Sequence, residues 1–175
     1  MSSRHAKTVA LLLACLSSVL PARAQVLESI RGKFQISADD TSTVFLNGIE
    51  VFATRLEKDQ RVKESEPITL KLGDKLVFNL HNVRGPKGLL AQFVSEDGKH
   101  LIHFPHTAYK VLVNPKATTF TDSEFRDART AREVKNPVSI KILPYKSKSE
   151  WTWGETDTCS LASLIARESF VPVTP

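Results

Sequence analysis

His100, His103 and His106 stand three residues apart. Three imidazoles suit Zn²⁺ or Cu²⁺. The spacing fits a strand badly, because residues three apart on an extended chain point to opposite faces. Pro105 also interrupts the run before His106. Solvated or locally hydrogen-bonded imidazoles are therefore expected. Trp151 and Trp153 form a second candidate. On a strand they share a face, and indole faces stack on the apolar faces of sugar rings. Glu155 and Asp157 follow and could accept hydroxyl hydrogen bonds. The same indoles also suit a core, since each buries a large area, and acidic residues also favour the start of a helix.

Asp39, Asp40 and Asn47 are hard oxygen donors of the kind that bind Ca²⁺. No dense Asp-x-Asp-x-Asp-Gly loop accompanies them. The chain has no Gly-x-Ser-x-Gly, no His-Glu-x-x-His and no phosphate-binding glycine loop. Carboxylates are plentiful, so residue types alone leave a glycosidase pair open. The chain is short for such an enzyme, and a non-catalytic protein is the expectation.

These residues must be held by strands. Val44-Phe45-Leu46 and Ile49-Glu50-Val51 flank Asn47-Gly48, a pair suited to a two-residue type I′ hairpin turn. Phe34 and Ile36 alternate with polar neighbours before it. Thr54 to Glu66 is strongly charged and reads as an exposed loop. Ile68, Leu70 and Leu72, then Leu76, Phe78 and Leu80, alternate around Gly73-Asp74 and read as a second hairpin. Asn82 to Gly88 is a loop, and Leu89 to Val94 is a nearly continuous apolar strand. Further strands are expected at Leu101-Ile102, Tyr109 to Val113, Thr118 to Thr121, and Val138/Ile140/Ile142. Asp122 to Lys135 reads as a long polar loop with at most one helical turn. Thr158 as a cap, with Leu161, Leu164 and Ile165 on one face and Pro172 as a stop, predicts a C-terminal helix. Many short strands separated by turn residues predict an all-β antiparallel sandwich.

The first 24 residues read as a secretory signal peptide. Arg4 and Lys7 precede an apolar run from Val9 to Leu20, and Ala22-Arg23-Ala24 is a cleavage pattern after Ala24. Lipid anchoring at Cys15 competes with this reading. Leu13 fits a lipidation site poorly, and the apolar run continues past Cys15. No other stretch is long enough for an ordinary membrane span. A periplasmic or extracellular protein is expected.

Cleavage removes three of the 24 Lys and Arg and none of the 19 Asp and Glu, so a net charge of +5 falls to +2. The remaining cations are interleaved with anions, which is not the basic stripe a nucleic acid requires. Cys159 is then the only cysteine. It is either buried and inert or pairs between chains in a Cys159-linked dimer.

Ser37-Ala38-Asp39-Asp40 and Val44 to Val51 resemble the "ADD…lyvNGk.v" segment of galactose-binding-like jelly-roll modules, which accompany bacterial glycoside hydrolases. Leu70 to Phe78, Asn82 to Ala91 and Thr121 to Arg126 resemble later segments of that pattern, in the same order. Phe125 stands where the family often has Trp, and the stretch between Gly98 and Thr121 is longer than usual. The resemblance implies a galactose-binding-like sandwich over residues 25–157, followed by a helical segment and tail over 158–175. It implies a non-catalytic carbohydrate-binding module; Trp151, Trp153 and Glu155, read from their residue types, are the candidate ligand contacts. A structural Ca²⁺ on Asp39, Asp40 and Asn47 is a further implication. The alternative is a structural or protein-interaction subunit of an envelope complex, with Cys159 and the C-terminal helix as the contact.

Overall fold

The computed structural model describes residues 27–54, 62–83, 87–134, 149–166 and 169–172. The signal peptide, Cys15, Gly85-Pro86 and the expected strand at Val138/Ile140/Ile142 lie outside these residues.

Strand β1 (Ser29–Ala38) begins earlier than its alternation suggested. Ile30, Phe34 and Ile36 are buried on one face. Gly32 lies on that face against the neighbouring strand, where a Cβ would come within 2.1 Å of the Val94 carbonyl oxygen. No side chain fits there, so glycine is a packing requirement. Strands β2 (Thr41–Leu46) and β3 (Ile49–Ala53) form the expected hairpin, with Leu46 opposite Ile49. Asn47 and Gly48 take φ of 51° and 88°, as a type I′ turn needs. Asn47 Oδ1 accepts from the Lys75 N–H at 2.9 Å, and its amide donates to Asp74 Oδ1 at 2.9 Å. These bonds pin one turn to another.

The charged stretch after β3 is not wholly a solvated loop. Its end forms β4 (Lys63–Glu64), and Ser65 is buried against Phe34, whose N–H donates to Ser65 Oγ at 2.9 Å. Strands β5 (Ile68–Lys71) and β6 (Lys75–His81) are where alternation placed them, but they do not form a hairpin. β5 pairs with β1, whereas β6 pairs with β2 and with a later strand. The turn at Leu72-Gly73 carries the chain from one sheet to the other, and Gly73 at φ 85° supplies the left-handed residue it needs.

Strand β7 (Leu89–Ser95) is buried throughout. It is followed by β8 (His100–His103), a 3₁₀ turn at His106–Ala108 and β9 (Lys110–Leu112). Thr118 to Thr121 is not a strand; it leads into the short helix α1 (Asp122–Asp127). Thr121 caps α1 reciprocally with Glu124. The chain continues through β10 (Arg129–Thr130), β11 (Arg132–Glu133) and β12 (Thr152–Trp153). The expected C-terminal helix is instead β13 (Thr158–Leu164), followed by β14 (Phe170–Pro172).

In the first sheet β1 lies between β7 on one side and β4 and β5 on the other. β7 carries β8 and β12 on its far edge, extended by β14 and β11. The second sheet runs β10-β9-β13-β6-β2-β3. Every pairing among the described strands is antiparallel. Residues 158–164 therefore sit in the middle of the second sheet, which removes the expected division at residue 157.

The sheets meet over one apolar core. Phe34 of the first sheet meets Phe78 of the second edge-on, with ring centroids 6.0 Å apart, and Phe93, Phe104 and Tyr109 complete the aromatic cluster. Such edge-to-face pairs contribute roughly 0.5–1.5 kcal/mol each beyond area burial. A second, smaller cluster lies elsewhere. Val77, Ala162, Leu112 and Phe120 are buried together, with Phe125 of α1 stacked on Phe120 at 5.1 Å. No helix among the described residues is long and apolar enough to cross a membrane.

Candidate functional site

β10 and β11 are adjacent in the chain but belong to different sheets. Residues 129–133 therefore bridge the sheet edges. The turn between β12 and β13 also crosses from one sheet to the other, joining an interior strand of each. Between these crossings is a groove of about 710 Å³. Trp153, Gly154 and Cys159 line its depth, Arg129, Arg132 and Glu155 its polar side, and Val113 its rim. Gly154 has no room for a side chain, since a Cβ would stand 2.8 Å from that of Cys159. Val113 is fully exposed.

The two arginines converge on one carboxylate. Arg129 contacts both Glu155 oxygens at 3.2 Å, and Arg132 Nη2 donates to Glu155 Oε1 at 2.8 Å. The Arg129 charge, followed by the hydrogen bonds from Arg132 and Arg129, holds the Glu155 carboxyl below its usual range. Donors and acceptors thus stand side by side over an apolar floor. That arrangement suits a ligand carrying several hydroxyls on a compact carbon frame.

Of the residues expected to contact a sugar, Glu155 lines this groove. Trp153 does not present its indole for stacking. It is only 1 % exposed, and its Nε1 donates to the Thr156 carbonyl at 2.9 Å. The core reading of this tryptophan is therefore the right one, because its large apolar area is buried where the two sheets meet. Trp151 is half-buried and precedes β12; its carbonyl accepts from the Val134 N–H at 2.8 Å.

Asp39, Asp40 and Asn47 cannot form one calcium site. The first two precede β2 and Asn47 follows it, and a six-residue strand spans about 20 Å. Each has a local role. The Asp39 N–H donates to the Gly88 carbonyl at 2.7 Å, Asp40 Oδ2 accepts from the Val83 N–H, and Asn47 joins two turns. Burial, and then the neighbouring Asp40 charge, raises the Asp39 pKa. Among the described residues no group of three or more His, Cys, Asp or Glu is arranged to hold a metal ion.

The histidines are divided between elements. His100 and His103 end β8, and His106 starts the 3₁₀ turn. His106 Nδ1 lies 2.5 Å from Glu150 Oε2, and the His106 N–H donates to the same oxygen at 3.1 Å. A carboxylate only accepts, so Nδ1 carries the proton. These bonds hold Glu150 below its usual pKa.

Cys159 is 3 % exposed, and burial pushes its thiol up to about 11. The sulfur lies beneath Gly154, so linking two chains through it requires displacement of the β12–β13 turn.

No protein-family model, curated protein or solved structure matches the chain. Its chemistry must be read from the groove itself. Arg129 and Arg132 were missed at the level of sequence because they stand in a mixed-charge run. Their partner Glu155 is 26 and 23 residues away, and no local spacing announces the trio.

Proposed function

We propose that this chain is a secreted, non-catalytic carbohydrate-binding β-sandwich of the galactose-binding-like kind. The observation that carries the reading is the groove, in which Arg129, Arg132 and Glu155 gather polar groups beside the exposed Val113. Guanidinium and carboxylate groups together can bridge neighbouring hydroxyls, while Val113 offers an apolar contact to the ring. Without an accessible indole in Trp153, affinity rests on these polar contacts and on shape. The resemblance at Ala38 to Val51 and Asn82 to Ala91 supports the same reading. In space, Asp39 and Asp40 touch Gly88 and Val83, so two resembling segments meet.

Binding alone is favoured over glycoside hydrolysis. The acid of a hydrolytic carboxylate pair needs a raised pKa, whereas Glu155 is lowered. The envelope-subunit alternative loses its proposed contact, since Cys159 is buried and residues 158–164 form an interior strand.

Titration calorimetry of the mature protein against a panel of oligosaccharides tests the reading. At least one should bind, and Arg129→Ala should weaken binding about tenfold or more, as the loss of a charge-assisted hydrogen bond predicts. A panel without any saccharide binding overturns it.

A further inference from the structure

The charged residues lining the groove are equal in number, Arg129 and Arg132 against Glu155 and Asp127, but unequally paired. Two guanidinium cations, Arg129 and Arg132, share the single carboxylate of Glu155, so the trio carries one net positive charge. The other carboxylate lining the groove, Asp127, instead accepts from Ser123 Oγ at 3.1 Å. A third cation borders the same side, since Lys110 Nζ reaches Thr130 Oγ1 at 3.4 Å and Thr130 lines the groove.

Each guanidinium has five N–H donors in a fixed fork. Three close contacts to Glu155 leave donors on both unengaged. The arginine side chains are 78 % and 70 % exposed and that of Glu155 is 42 % exposed. An exposed ion pair is weak and can be exchanged. Glu155 therefore stands where a ligand carboxylate would stand, bound as that carboxylate would be bound.

We infer that the Arg129–Arg132 pair is a carboxylate receptor and that the groove selects acidic saccharides, those bearing a uronic acid. The inference rests on the groove being a saccharide site and specifies its ligand class. A sugar carboxylate engages the free edges of both guanidiniums, either beside Glu155 or in its place. The ring then lies toward Val113.

The test compares glucuronate and galacturonate oligomers with the glucose and galactose oligomers that differ from them at C6. Uronates should bind at least tenfold more tightly at low salt, and this advantage should shrink as salt is raised, since the charges are exposed. Arg132→Ala should weaken uronate binding at least tenfold more than it weakens neutral-sugar binding, so that the advantage disappears. Arg132→Lys, which keeps the charge but loses the fork, should restore only part of it. Glu155→Gln should strengthen uronate binding severalfold by freeing both arginines. Equal affinity for neutral and acidic oligomers, unaffected by Arg132→Ala, overturns the inference and leaves the saccharide reading standing. Binding of carboxylate-terminated peptides without uronate binding overturns the inference in favour of a peptide partner. Absence of binding by every saccharide removes both readings.

Discussion

Cys159 shows how one residue's chemistry is set by its surroundings. Its thiol is buried beneath Gly154, and desolvation disfavours the thiolate. A maleimide or disulfide reagent at pH 8 should label native Cys159 orders of magnitude more slowly than the denatured chain. Rapid stoichiometric labelling of the native protein would show the burial to be wrong. The pH dependence has a definite sign. The folded pKa of about 11 lies above the ordinary value of 9.0, so the folded state retains a proton that the unfolded state releases. This contribution to stability is complete below pH 9 and is lost as pH rises toward 11. Trp153 is the apolar counterpart. Its indole was legible as either core or ligand platform, and its packing between strands decides for core.

The element most open to a direct test is α1. With six residues it is too short to be stable alone, and its capping box and Phe125 hold it against the second cluster. Thr121→Ala should destabilise the protein by about 1 kcal/mol, read from the urea midpoint at unchanged slope. Since Asp127 and Ala128 line the groove, the same variant should also weaken ligand binding. An unchanged midpoint would show that the cap contributes nothing.

The strands teach a different lesson. Alternation located β5 and β6 but paired them wrongly. Period-2 patterning reports which face of a strand is buried, and both sheets bury a face in the same core. Likewise Leu161, Leu164 and Ile165 fit a helix, while Cys159, Leu161 and Ile165 equally fit a strand. The strand wins because Ala162, on its opposite face, is also buried, in the second cluster. A strand covered on both faces loses the simple alternation by which it would be recognised.

At the scale of the molecule, ionised carboxylates tie distant segments together. Asp122 pairs with Lys75 at 2.8 Å, Asp157 with Lys87 at 2.6 Å, Glu155 with two arginines and Glu150 with His106. All four carboxylates are held below their usual range by these partners. Their contribution is present above the ordinary carboxylate values of 3.8 and 4.5, and it is lost as pH falls through the lower folded values. The burial-raised Asp39 acts in the opposite direction. Denaturant midpoints should therefore fall on acidification below about pH 4.5. A flat profile from pH 6 to pH 2 would remove these pairs from the account.

The amino-acid sequence by itself determined what is local. It specifies β2, β3 and the Asn47-Gly48 turn, because left-handed φ and flanking apolar runs are properties of neighbouring residues. It also specifies most other strands and the all-β class. Tertiary structure alone decided which sheet each strand joined, that residues 158–164 run through the centre of one sheet, and that Trp153 is closed to ligand. It also brought Arg129, Arg132 and Glu155 together. Those outcomes depend on contacts between residues far apart in the chain, where the gain from burial and pairing is shared across the whole sandwich rather than held by any one segment.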